Sequence, residues 1–323
     1  MKILIRADAS VHIGMGHRVR CQALVSAFER QGHSCQFVVQ QACSAFAEQN
    51  DIVISQEVEF LPMASEADLV ILDHYGYQAT DIKTLYHHQA NLLVLDDMNN
   101  RGEFPAKWVL NPLEQTYPNA VLMPLTGSRY ALLRPPFLTA QVNENPTKLL
   151  VTLGGTDPLA LTLPLLIHCL RLGFVASDIV VMLGKNAKQA EQVKAFCNLN
   201  GIELHQGVVD VTPLMAKSKM AISAAGSTLF ELACMGVPSL FVQVADNQTL
   251  SLEQHLPLGW CRALRFDDLP QETVAEQVER LIHLAWELWQ DSIWQAQARK
   301  KARQLVDGKG ADRVVNAILS GVK

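Results

Sequence analysis

The chain has 323 residues, of which 49% are hydrophobic and 18% charged, and it carries a net charge of −5 at neutral pH. That length allows two domains of ordinary size, each with its own core. The composition excludes a disordered chain, and the acidic balance offers no basic surface for nucleic acid or an anionic membrane.

The opening KILIRA reads as a strand, with Arg6 and Asp8 too early for the apolar core of a signal peptide. No uncharged apolar run is long enough to span a bilayer, so no membrane partner is expected. Seven scattered cysteines with no Cys-x-x-Cys pair read as reduced core thiols, without disulfides or a metal site.

Apolar runs of strand length follow in order: CQFVVQ, DLVILD, NLLVLDD and WVLNP, then KLLVTLGG, DIVVMLG, IELHQGV, MAISAAG and PSLFVQV. Between most of them lie segments with helical spacing, such as residues 18–30 and 189–199. Near-continuous Val, Ile and Leu predict strands buried on both faces, hence parallel sheets covered by helices. The stretch 134–148 loses the periodicity, carries prolines and reads as a linker. The predicted organisation is an N-terminal Rossmann-like domain over 1–140, a C-terminal one over 147–290, and helices over 291–323 whose last member often crosses back in such architectures. Ligands in open α/β sheets bind beyond the carboxyl ends of the strands, which for two facing lobes means the cleft.

Three strand-to-helix turns carry most of the chemistry. The first, DASVHIGMGHRVR, begins like a dinucleotide fingerprint at Gly14 and Gly16, but the third glycine position is Val19 and the next strand ends in Gln40-Gln41. A dinucleotide site is therefore rejected. What remains is His17 at the first turn of a helix, either capping it or acting as a base near neutral pH. The second turn, TLGGTDP, brings Gly154 and Gly155 to the same kind of edge, with Asp157 and Pro158 reading as a helix cap and first helical position. A tight turn accounts for both glycines, and so does close approach of a phosphate.

The third is the string SAAGSTLFELACMGVPSLFVQVADNQ. Gly226, Ser227 and Thr228 stand at a helix start with free N–H groups and two hydroxyls, a ready anion site. Glu231, one turn inside, would accept ribose hydroxyls, and the next strand delivers Asn247 and Gln248 to the same edge. A smaller cue is ILDHYGY, a strand ending in Asp73, His74 and Tyr75. LDDMNNRG ends the following strand with two acids that either hold a sugar hydroxyl or begin a turn.

The string GSTLFELACMGVPSLFVQVADNQ resembles the nucleotide-sugar signature of the GT-B superfamily, typified by the lipid II N-acetylglucosaminyltransferase. Together with IRADASVHIGMGHRVRC, LDHYG and GGTD, it is more similar to a family of smaller relatives. These are the UDP-2,4-diacetamido-2,4,6-trideoxy-β-L-altropyranose hydrolases of pseudaminic acid biosynthesis, and the resemblance spans most of residues 1 to 250. It implies an α/β GT-B fold, with two facing Rossmann-like domains and a cleft between them. It also implies a cytoplasmic enzyme that releases UDP from a UDP-sugar by inverting attack of water, with no redox cofactor. The catalytic histidine of the family falls on His17, its strand-end tyrosine on Tyr75, its asparagine on Asn247 and its ribose-binding glutamate on Glu231. Asp8 is expected to orient the imidazole or bind sugar. The glycine of SAAGSTLFE is that of the glycosyltransferases, so a UDP-sugar transferase is the alternative on that motif.

Overall fold

The computed structural model describes residues 1–10 and 15–322. The chain divides into two compact units, residues 1–138 with 308–323, and residues 139–307.

The first unit runs β1 (Lys2–Arg6), α1 (Gly16–Arg30), β2 (Ser34–Gln40), β3 (Ile52–Ile54), α2 (Phe60–Ser65), β4 (Leu69–Leu72), α3 (Ala79–His88), β5 (Leu92–Leu95), β6 (Ala106–Asn111) and β7 (Val121–Thr126). Its strands form one parallel sheet in the order β3-β2-β1-β4-β5-β6-β7. Successive side chains along a strand point to opposite faces, and the core divides accordingly. Ile3, Ile5, Leu69, Ile71, Leu93 and Leu95 pack on one face against Leu24 and Phe28 of α1. Leu4, Val70, Leu72, Leu92 and Val94 pack on the other, against Phe60, Ile82 and Leu85. Both faces are therefore covered, which is why these strands read as continuous apolar runs. Each fully buried Leu or Ile contributes about 1.5–3 kcal/mol of transfer free energy.

The second unit runs β8 (Lys148–Thr152), α4 (Thr162–Leu172), β9 (Ile179–Leu183), α5 (Ala190–Asn200), β10 (Glu203–Gln206), α6 (Thr212–Ala216), β11 (Ser218–Ala224), α7 (Thr228–Cys234), β12 (Ser239–Gln243), α8 (Thr249–His255), β13 (Cys261–Arg265), α9 (Val274–Gln290) and α10 (Ser292–Leu305). Its sheet is also parallel, in the order β10-β9-β8-β11-β12-β13.

The last helix, α11 (Gly310–Gly321), belongs to the first unit. Its Ala311, Val314, Val315 and Ile318 complete the apolar cluster beside α1. The helices expected as one group after residue 291 thus divide, α10 with the second unit and α11 with the first.

The apolar runs singled out in the sequence lie on strands, and three strands carry no such run: β3, β7 and β13. All three are edge strands, where one side needs no partner and the chain tolerates polar residues or Pro124. No helix among the described residues is long and apolar enough to cross a membrane. The cysteines are all unpaired.

Strand order locates the points where the direction of the chain across each sheet reverses. In the first sheet the chain moves outward from β1 to β2 and β3, then returns to β4 on the other side of β1. In the second it moves from β8 to β9 and β10, then returns to β11 beside β8. Open α/β sheets bind ligands at such reversal points, beyond the carboxyl ends of the two diverging strands. The β1/β4 and β8/β11 edges are therefore the candidate ligand sites.

Candidate active site

At the β1/β4 edge, α1 starts at Gly16 and sets His17 in its first turn, with the side chain buried. The imidazole Nδ1 lies 2.6 Å from Asp73 Oδ1, at the end of β4. Two lone pairs at that distance would repel, so the proton sits on Nδ1 and is donated to the carboxylate. Nε2 of a neutral ring is then left as the basic nitrogen. The Tyr75 ring stands edge-on to the imidazole, centroids 4.5 Å apart and planes at 78°, and the tyrosine is 51% exposed.

Asp73 is fully buried and heavily bonded. Arg20 Nε donates to Oδ2 at 2.6 Å, Arg20 Nη2 donates to Oδ1, and Cys21 Sγ–H lies 3.4 Å from Oδ2. Burial opposes ionisation of Asp73, yet the charge and hydrogen bonds of Arg20, then those of His17, outweigh it. They hold the carboxyl well below the usual carboxylate range. Arg20 also reaches Asp97, beyond β5, with Nη1 at 2.8 and 2.7 Å from its two oxygens. Tyr75 donates its hydroxyl to the same Asp97 at 2.7 Å. Burial first, and the Asp97 charge next, push the phenol above its ordinary range, so it stays a donor.

Asp8 belongs to a neighbouring cluster. Its carboxylate takes a forked pair from buried Arg6, at 2.8 and 2.9 Å, the Gln40 N–H at 2.9 Å, and His74 Nε2 at 3.0 Å. Arg6 makes a second forked pair with Glu57, at 2.7 and 2.9 Å, and Tyr77 donates to Glu57 as well. Burial raises the Asp8 carboxyl, but the bonds from His74 and Arg6 outweigh it, and the net shift is strongly downward. The expectation that Asp8 orients the imidazole is corrected: the carboxylate on His17 is Asp73, because β4 is the strand beside β1 and its end reaches the start of α1. Gly14, expected to bind substrate, lies outside the described residues.

At the β8/β11 edge the glycines differ in what the fold asks of them. Gly154 has φ +78°, which disfavours any side chain. Gly184, after β9, lies so close beneath the loop that a Cβ there would come within 2.1 Å of the Gly155 carbonyl oxygen. Lys188 donates its N–H to Thr156 O at 2.9 Å and its Nζ to Pro158 O at 2.6 Å, tying the two loops together. By contrast, Gly16, Gly155 and Gly226 have no positive φ, and a Cβ on any of them would meet nothing within 4 Å among the described residues. The turns do not require glycine there, which leaves those backbones open to a ligand.

Asp157 caps α4, but not as the adjacent residue. It takes a left-handed conformation at φ 44°, and its carboxylate accepts the N–H groups of Leu161 and Thr162 at 3.0 and 2.9 Å. The helix therefore begins at Thr162 rather than at Pro158, because the chain makes a turn first. Ser227 precedes α7 and makes no side-chain cap to it, while Thr228 and Glu231 lie in the first turn. Gly226 and Ser227 are exposed. Asn247 is exposed on the loop after β12, whereas Gln248 is buried and its Oε1 accepts the Val244 N–H at 3.0 Å. Gln248 thus holds the loop that presents Asn247.

The sequence singles out His17, Asp8, Tyr75, Gly14, Gly16 and the second-unit residues, and does not single out Asp73, Arg20 or Asp97 as site residues. Asp73 and Asp97 were visible as strand-end acids; Arg20 offered only its place one turn after His17.

No family model matches the chain. It is 25% identical to the spore coat polysaccharide biosynthesis protein SpsG of Bacillus subtilis, over 97% of this chain and 96% of that protein. It is 26% identical to the pseudaminic acid cytidylyltransferase and UDP-2,4-diacetamido-2,4,6-trideoxy-β-L-altropyranose hydrolase of Helicobacter pylori, over 87% of this chain and 51% of that protein, so it spans about half of that relative. Among solved structures it is similar to MurG of Acinetobacter baumannii, with a TM-score of 0.69 at 16% identity over 99% of both chains. It is also similar to Phytolacca americana UGT2 complexed with UDP-2-fluoroglucose and pterostilbene, with a TM-score of 0.63 at 12% identity over 99% of both. Two parallel sheets in this strand order, matched along the whole chain, give it the GT-B fold.

Proposed function

We propose that the chain is a nucleotide-sugar hydrolase that releases UDP from a UDP-2,4-diacetamido-2,4,6-trideoxyhexose, with His17 as the base. The observation that carries this reading is the imidazole itself, held through Nδ1 by a buried carboxylate so that Nε2 is the nitrogen available to a water. Nε2 takes one proton from that water as its oxygen forms a bond to the anomeric carbon. The bond from that carbon to the phosphate oxygen breaks, and UDP departs with the electron pair, which gives inversion. A diphosphate is a good leaving group near neutral pH, since the last proton of such a phosphate has a pKa of about 6. The first unit supplies the base and sugar contacts, and the half-exposed Tyr75 stands beside them. The second supplies UDP contacts, with Gly154, Gly155, Gly226, Ser227 and Thr228 for the diphosphate, Glu231 for the ribose, and Asn247 beside them. The reading needs no redox cofactor. The choice of sugar and a role in pseudaminic acid biosynthesis are supported by the Helicobacter relative, and a role in glycan assembly by SpsG.

The test is to incubate the protein with a panel of di-N-acetylated UDP-sugars, without acceptor, and to follow UDP release and the anomer of the product by NMR. Release without acceptor is expected, and its absence would sink the proposal. His17→Asn should lower turnover by roughly 10²–10⁴-fold while UDP binding, measured by calorimetry, persists. A second reading, a UDP-sugar transferase, draws on the glycosyltransferase-like Gly226-to-Glu231 string. It is distinguished by UDP release that requires an acceptor.

A further inference from the structure

Arg20 stands one turn along α1 from His17, and its guanidinium joins two carboxylates from two different strand ends. Nε and Nη2 bond Asp73, Nη1 bonds Asp97, and Nη2 also comes within 3.2 Å of His17 Nδ1. Among the described residues, the groups facing the imidazole are Arg20 and Cys21 from α1, Asp73 and Tyr75 from the segment after β4, and Asp97 from the segment after β5, which acts through Arg20 and Tyr75.

A buried carboxylate bonded to an imidazole alone stabilises the protonated ring, which would silence a base at neutral pH. Here the same carboxylate also carries a guanidinium. That second partner offsets much of its charge and places a cation against the ring, while the planar fork fixes the carboxylate in one orientation. Asp97 anchors the far side of the fork, and the Tyr75 hydroxyl fixes Asp97 in turn. We infer that Arg20 is a positioning residue for His17: it aligns Asp73 on Nδ1 and at the same time keeps Asp73 from holding the imidazole protonated. This rests on the reading of His17 as the base.

The experiment follows His17 by NMR in protein labelled at histidine ring carbons, the signal being identified by its loss in His17→Asn. Arg20→Met should raise the midpoint of the His17 titration by about one pH unit or more, a tenfold or greater gain in proton affinity. The acidic limb of UDP release should move with it. Arg20→Lys keeps a charge but not the fork; it should move the midpoint less, and lower kcat with little change in KM. Asp97→Asn removes a negative charge and frees Arg20 for Asp73, so it should shift the midpoint downward. That variant serves if Arg20→Met does not fold. An unmoved midpoint in Arg20→Met, or in Asp97→Asn when that is the variant in hand, would overturn the proposal. The titration needs no substrate. Protein that titrates as expected but releases no UDP refutes the hydrolase and leaves the role of Arg20 standing; UDP release with an unmoved midpoint refutes Arg20 alone.

Discussion

The carboxyl edges of the two sheets share a topology and differ in chemistry. At the first edge, side chains dominate: His17, Arg20, Asp73 and Asp97 form one bonded chain, and Arg6, Asp8, Glu57 and His74 form another beside it. At the second edge the backbone dominates, with exposed glycines at 155 and 226 and hydroxyls at 227 and 228. A proton-transfer site needs titratable groups fixed to within fractions of an ångström. A diphosphate site needs N–H groups and room, which Gly-rich turns supply. One architecture, used twice, has been given two different surfaces.

The contrast can be broken most severely at Asp73. Asp73→Asn removes the charge that holds Nδ1, and should lower turnover by roughly 10²–10⁴-fold with UDP affinity unchanged. Equal losses of turnover and UDP affinity would erase the division of labour.

Acid should separate the units next. His255, in the second unit, is buried and accepts the Trp260 Nε1–H at 3.2 Å. Burial pushes its pKa down from 6.5 to about 4. The unfolded chain therefore binds this proton first as pH falls. The stability tied to neutral His255 is intact above about 6.5 and is lost progressively down to about 4, by up to about 3 kcal/mol. Asp73 and Asp8 have depressed values, so their contribution persists through that window and is lost only below the ordinary carboxylate range. Urea unfolding at pH 7 and pH 4.5 should show the loss, and His255→Gln should flatten it.

The glycines give the finer comparison. Gly184→Ala drives a methyl into the Gly155 carbonyl and should cost about 1–3 kcal/mol of stability, read by urea unfolding. Gly226→Ala places a methyl with nothing within 4 Å among the described residues, so folding should be unaffected while UDP affinity, measured by calorimetry, falls about tenfold, or about 1.4 kcal/mol. A Gly226→Ala variant that binds UDP normally removes that turn from the site.

Much of the architecture was legible because burial on both sheet faces leaves an unbroken apolar signature, as in the LVIL of β4 and the LLVL of β5. The strands that escaped notice lie at the edges, where no such signature is required; CRALR of β13 has only its first residue buried. His17 was legible from its own turn. Its partner was not, since Asp73 stands 56 residues away and Asp8 only nine, and sequence proximity favoured the wrong acid. What brings Asp73 to His17 is the adjacency of β1 and β4, with β2 and β3 displaced to the other side. That adjacency is a property of the sheet and is not written in either segment. Arg20 was hidden for a related reason, because an arginine on a helix looks the same whether it meets water or two carboxylates.

The return of α11 to the first unit has a consequence for biosynthesis. Val314, Val315 and Ile318 complete a cluster that includes Leu24 and Phe28, residues translated almost three hundred positions earlier. Gly310 fits against the Ala131 carbonyl with no room for a side chain, and Gly321 lies against Trp108. The ribosome therefore delivers the second unit whole while the first still lacks its closing helix. Until α11 emerges, an apolar face of the first unit stays open to water, and the nascent chain is exposed to aggregation for as long as translation of the second unit takes.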